Sequence, residues 1–126
     1  MDPNSTSCII VGGGSGSRFS SHTSKLHISV AGKPVYISAI ENFMYDDRIA
    51  EIVVVGPFSI HEIEQWIPEP QKITIAQGGK TRTESVFNGL CKCKPITDWV
   101  LIHDAARPFI PFSMLDRIFH AAKPSI

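Results

Sequence analysis

Short apolar runs recur along the chain at Cys8-Ile9-Ile10-Val11, Ile52-Val53-Val54-Val55, Ile73-Thr74-Ile75-Ala76 and Trp99-Val100-Leu101-Ile102. Their near-continuous hydrophobicity, without polar alternation, is what strands buried on both faces of a parallel sheet require. Between them the apolar period changes to that of a helix. From Pro34 to Tyr45, residues Val35, Ile37, Ala39, Ile40, Phe43 and Met44 form a broad stripe, with Pro34 placed where a first helical turn tolerates it. Ile60 to Trp66 and Thr83 to Cys93 read likewise, and Phe112 to Ala122 carries Met114, Leu115, Ile118 and Phe119. Strands alternating with helices predict an α/β fold: a Rossmann-like, mostly parallel sheet with right-handed crossovers and helices on both faces. No repeat, linker or low-complexity tract divides residues 1–126, which read as a single domain. The last helix gives way to Lys123-Pro124-Ser125-Ile126 where a further strand is expected, so the sheet reads as unfinished: either a minimal domain or a truncated part of a longer protein.

Composition narrows the function without choosing it. A length of 126 residues suits one compact core. Twelve basic residues balance twelve acidic ones, which excludes bulk charge attraction to nucleic acid or membrane as the main activity. Three cysteines, two of them close together at Cys91 and Cys93, suggest a reducing compartment, and the cytoplasm is the expected location. No apolar run approaches the roughly 20 residues that span a bilayer. The start Met1-Asp2-Pro3-Asn4 lacks the order of a signal peptide.

The chemistry begins directly after the first strand, at Gly12-Gly13-Gly14-Ser15-Gly16-Ser17-Arg18. Glycines at Gly12, Gly13, Gly14 and Gly16 let backbone approach an anion without Cβ obstruction, so the turn predicts a phosphate loop. A dinucleotide fingerprint fails, because the sixth position is Ser17 or Phe19 according to the starting glycine. A P-loop fails too: Gly79-Lys80-Thr81 supplies its tail, but Thr74 stands where the first glycine belongs. Arg18 and Lys25 follow the turn and can both face it. A guanidinium and an ammonium are suited to the negative phosphorus centre of a nucleotidyl transfer.

Two later loops add to this. In Gln77-Gly78-Gly79-Lys80-Thr81-Arg82-Thr83-Glu84-Ser85, Thr81 and Glu84 fit a capping box. The paired glycines beyond that box let backbone approach a flat ring, which points to base reading by Gly79, Lys80 and Ser85. Ile102-His103-Asp104-Ala105-Ala106-Arg107-Pro108 ends the last strand. A carboxylate there lies in the crevice where open α/β sheets bind ligands, so Asp104 can hold a ribose or a hydrated magnesium ion, or instead cap a turn with Arg107 as partner. His103 reads as structural. Cys91-Lys92-Cys93 supplies too few ligands for zinc, and His22, His27, His61 and His120 are scattered without a triad.

Together, the glycine turn ending in Arg18, Lys25, the Gly79-Lys80-Thr81-Arg82 to Ser85-Val86-Phe87-Asn88-Gly89-Leu90 segment and His103-Asp104-Ala105-Ala106-Arg107-Pro108 resemble the 2-C-methyl-D-erythritol 4-phosphate cytidylyltransferases, in order and spacing over essentially the whole chain. The resemblance implies CTP and 2-C-methyl-D-erythritol 4-phosphate as substrates, magnesium as cofactor, a homodimer, and a place in the non-mevalonate pathway. It implies Arg18 and Lys25 as transition-state cations, Gly12, Gly13, Gly14, Gly79, Lys80 and Ser85 as nucleotide ligands, and Asp104 and Ala105 near ribose and metal. Two departures stand out: Ser24-Lys25-Leu26 replaces the usual Pro-Lys-Gln, and Gly12-Gly13-Gly14 replaces a common Ala-Ala-Gly, which predicts a more flexible turn. Family members also continue past Ile126 with further strands, a dimerisation arm and acceptor-binding residues. A ribitol 5-phosphate cytidylyltransferase and a non-catalytic nucleotide-binding fragment are the alternatives.

Overall fold

The computed structural model describes residues 6–12, 29–95 and 97–121. Strands β1 (Thr6–Val11), β4 (Ile49–Val55), β5 (Ile73–Ala76) and β6 (Trp99–Asp104) form one sheet in the order β5-β4-β1-β6, every pair parallel. The four apolar runs are these strands, and β1, β4 and β6 each extend beyond its run. Strands β2 (Ser29–Val30) and β3 (Lys33–Pro34) form a small hairpin turning at Ala31 and Gly32, too short to leave a sequence pattern.

Helix α1 (Val35–Met44) follows β3, α2 (Ile60–Glu64) follows β4, α3 (Arg82–Lys92) follows β5, and α4 (Phe112–Ala121) follows β6. Alternation along β1 sends its side chains to two faces. Cys8 and Ile10 join Ile52, Val54 and Ile73 in a core closed by Tyr36, Ile40 and Phe43 of α1, Ile63 of α2, and Leu115 and Phe119 of α4. Ile9 and Val11 join Val53, Val55 and Ala76 on the opposite face, against Val86 of α3 and Cys93. The expected covering of both faces is therefore present, three helices on one side and one on the other. That single helix comes close: a Cβ on Gly89 would lie 2.8 Å from Ile9 Cγ2 and 2.9 Å from Val55 Cγ2.

The register places the strand ends flush, with Val11 opposite both Val55 and Asp104, and Val55 opposite Ala76. Successive strands β1, β4 and β5 build outward in one direction, and β6 then returns to the far side of β1. The strand order thus reverses between β1 and β6. In open α/β sheets the crevice outside the carboxyl ends at such a reversal is where ligands bind.

The amino end of the sheet is closed by a buried carboxylate. Glu51 accepts hydrogen bonds from Ser7 Oγ at 2.6 Å, the Lys94 amide at 2.7 Å and Thr97 Oγ1 at 3.3 Å, which satisfies the buried carboxyl group and ties Lys94 and Thr97 to the strands. A cavity of about 600 Å³ also opens where α1 ends, lined by Glu41, Asp46, Asp47 and Asp116 with Arg48. Its acidic lining and its distance from the carboxyl edge make it unsuited to a triphosphate.

Candidate functional site

Backbone hydrogen bonds continue past the strands and fix the first residues of the carboxyl-edge loops. The Gly12 amide donates to Val55 O at 2.7 Å, the Gly56 amide to Ala76 O at 3.1 Å, and the Ala105 amide to Val11 O at 2.9 Å. Gly12 and Ala105 are thereby held on either side of the reversal between β1 and β6. Because both amides are committed to the sheet, neither is a free donor for an anion. Gly13, Gly14, Gly16, Arg18 and Lys25 lie outside the described residues.

Asp104, at the end of β6, is only partly buried. One carboxylate oxygen accepts from the Ala106 amide at 2.9 Å, and the Asp104 carbonyl accepts from the Arg107 amide at 3.0 Å, so the residue shapes a tight turn. Among the described residues no ion pair joins it to Arg107. The carboxylate retains accepting capacity on its other oxygen, the kind of single carboxylate that helps hold a magnesium ion completed by water and phosphate. His103 is structural: its Nε2 lies 2.8 Å from Arg107 O, and its ring meets Phe43 edge-on with centroids 5.2 Å apart. Asn42 Nδ2 donates to Pro108 O at 2.8 Å, tying the same loop to α1.

The loop after β5 is organised from beneath. Ser85, fully buried, accepts the Gly79 amide on Oγ at 2.9 Å, and Thr81 Oγ1 caps α3 by accepting from the Glu84 amide at 3.0 Å. Asn88 Nδ2 donates to Gln77 O at 2.8 Å. Ser85 and Asn88, on the first turns of α3, therefore hold the two ends of 77–79, while Lys80 projects to solvent. Beside this loop an apolar hollow of about 420 Å³ lies between α3 and β6, lined by Arg82, Thr83, Val86, Phe87, Leu90 and Ile102.

Two residues at this edge carry no functional signal in the sequence. Asn88 sits between Gly79 and Leu90, and only its reach to Gln77 reveals its task. Phe58 closes the turn Gly56-Pro57-Phe58 after β4, where a Gly-Pro pair announces a turn but says nothing of the ring, which packs on Gly12.

The parallel α/β sheet of this chain, with its glycine-bearing and acidic loops leaving one carboxyl edge, matches solved structures of the nucleotide-diphospho-sugar transferase fold. Within it, the chain belongs to the 2-C-methyl-D-erythritol 4-phosphate cytidylyltransferase (IspD) family, whose sequence model matches residues 6–126. The 2-C-methyl-D-erythritol 4-phosphate cytidylyltransferase of Chlamydia caviae is 36% identical over 110 residues, covering 87% of this chain and 49% of the relative. That of Clostridium botulinum strain Eklund 17B is 39% identical over 110 residues, covering 82% and 48%. Among solved structures, 4-diphosphocytidyl-2C-methyl-D-erythritol synthase from Anaerococcus prevotii superposes with a TM-score of 0.77 at 28% identity, covering 95% of this chain and 52% of that one. The chain thus spans about half the length of these relatives.

Proposed function

We propose that this chain supplies the nucleotide-binding half of a cytidylyltransferase that converts CTP and 2-C-methyl-D-erythritol 4-phosphate to 4-diphosphocytidyl-2-C-methyl-D-erythritol and pyrophosphate. The setting is the non-mevalonate route to isoprenoids, in the cytoplasm, with the complete protein a homodimer. The reading is carried by one observation: Gly12, which opens the glycine-rich turn, and Asp104 leave adjacent strands at the point where the strand order reverses.

In this reading Gly12 to Gly14 and Gly16 follow the triphosphate, Gly79, Lys80 and Ser85 shape the base site, and Asp104 and Ala105 border the ribose. An oxygen of the acceptor's phosphate attacks the α-phosphorus of CTP, a new P–O bond forms, and the α–β anhydride bond breaks to release pyrophosphate. Arg18 and Lys25 offset the charge that gathers on the α-phosphoryl oxygens. Bound magnesium, held through Asp104, would supply further neutralisation of the triphosphate.

Calorimetric titration tests the nucleotide assignment: CTP with magnesium should bind this chain in preference to ATP, and absence of CTP binding overturns it. Transfer is measured as pyrophosphate release in a form extended to the relatives' full length, with methylerythritol phosphate and ribitol 5-phosphate offered in parallel. Turnover with ribitol phosphate alone replaces the acceptor. In that form Arg18→Ala and Lys25→Ala should each lower kcat by about 10²-fold with smaller changes in CTP affinity.

A further inference from the structure

Phe58 occupies the space that a side chain on Gly12 would need. A Cβ built on Gly12 runs into Cε2 and Cζ of the Phe58 ring, and one built on Gly56 would lie 2.8 Å from Cε2. Gly56 also has φ of 141°, a backbone that L side chains rarely adopt, and the Phe58 amide returns to Gly56 O at 2.9 Å. One ring is thus folded over two bare backbone positions, on the neighbouring ends of β1 and β4.

The ring has no easy retreat. It is 8% exposed, and it stacks on Tyr36 with centroids 4.6 Å apart and planes 28° from parallel. Tyr36 is fully buried and donates its hydroxyl to Glu62 Oε1 at 2.7 Å, so α1 and α2 together back the ring. Close packing of this kind transmits a displacement instead of absorbing it.

We infer that Phe58 is a positioning residue for the nucleotide: packed on Gly12, it fixes the backbone at the end of β1, where the glycine-rich turn begins. The inference rests on the nucleotide reading above. It assigns the first glycine of the turn a steric task, since the Gly12 amide is already engaged by Val55 O. Gly12 and Phe58 then form a coupled pair, in which either change alone disturbs the turn and a smaller residue at 58 makes room for a methyl group at 12.

The test is a double-mutant cycle read by CTP titration with magnesium and by thermal unfolding, using Gly12→Ala, Phe58→Ala, their combination, and Ile67→Ala as a buried control far from the carboxyl edge. Gly12→Ala and Phe58→Ala should each weaken CTP binding by about tenfold or more. The double variant should lose less than the sum of the two single losses, because the new methyl group enters the space the ring vacates, where its nearest neighbour is Val55 O, 3.1 Å away. Ile67→Ala should lower the melting temperature yet leave CTP affinity within about twofold, separating positioning from general loosening. If Gly12→Ala does not fold, the contrast between Phe58→Ala and Ile67→Ala decides. Wild-type CTP affinity in Phe58→Ala, or additive losses in the double variant, overturns this inference alone. Failure of the unchanged chain to bind CTP overturns the nucleotide reading and this inference with it.

Discussion

Ser85 shows how a single buried side chain can govern a loop it does not expose. Its hydroxyl is the acceptor for the Gly79 amide, and both groups are buried. Ser85→Ala would leave that amide without a partner, which costs about 1–3 kcal/mol. Urea denaturation should register a loss of this size, and a loss below about 0.5 kcal/mol would show that the loop keeps its shape by other means. The cap that Thr81 Oγ1 gives the Glu84 amide was legible from spacing alone, since it follows local rules, although the return bond from the Glu84 carboxylate that completes a capping box is not formed among the described residues. The sequence marked Ser85 only as a candidate for base reading. Its role comes from what lies over it, and a partner six positions away follows no helical or strand period. Gly12 is the sharper case: its sequence reads as freedom, and its surroundings turn it into a contact with Phe58.

At the scale of elements, α3 is the helix on which most of the candidate site depends, because its first turns hold the 77–79 loop. Its distance from the sheet is set at Gly89, against Ile9 and Val55. In an exposed helix interior Gly→Ala stabilises by about 1 kcal/mol. Here the sign should reverse, because the added methyl group would enter space already held by two branched side chains in the middle of the sheet. Gly89→Ala should destabilise by about 1–3 kcal/mol, measured as a lower midpoint in urea, and should also weaken CTP binding as the loop lifts with its helix. A stabilised variant would show that α3 can shift without cost. The helices themselves were visible in the apolar period of the sequence to within two residues at most of their ends. The hairpin of β2 and β3 was not, since two residues per strand carry no periodicity.

For the whole molecule, the sheet was readable because its central strands β1 and β4, buried on both faces, carry near-continuous apolar runs, while the edge strands β5 and β6 carry the same texture though only partly buried, with Ile102 46% exposed. The strand order was not readable, since every apolar run looks alike; the return of β6 to the far side of β1 emerges only from pairing. What joins these layers is also hidden in sequence: Arg48, at the entry to β4. Its guanidinium reaches Asp46 at 2.8 Å and Asp116 of α4 at 2.8 Å, and lies 4.4 Å from the centroid of the Phe119 ring. Hydrogen bonding to Arg48 holds the Asp46 carboxyl below its ordinary value of 3.8, with partial burial opposing. A carboxyl shifted down in the folded state adds stability that is fully present above its unfolded value and fades as pH falls through the folded one. Lys72, whose ammonium donates to Asp46 O at 2.9 Å, stays charged throughout that acid range, so its own downward shift leaves the sign unchanged. Stability should therefore be level in this contribution from neutrality down to about pH 4 and decline below it. Asp46→Asn should cost about 1 kcal/mol at pH 7, allowing for solvent screening, and should flatten the acid limb of the urea midpoint against pH. An acid limb of unchanged steepness in the variant would place the proton uptake elsewhere and remove the Asp46–Arg48 pair as the support that holds the guanidinium toward Asp116 of α4.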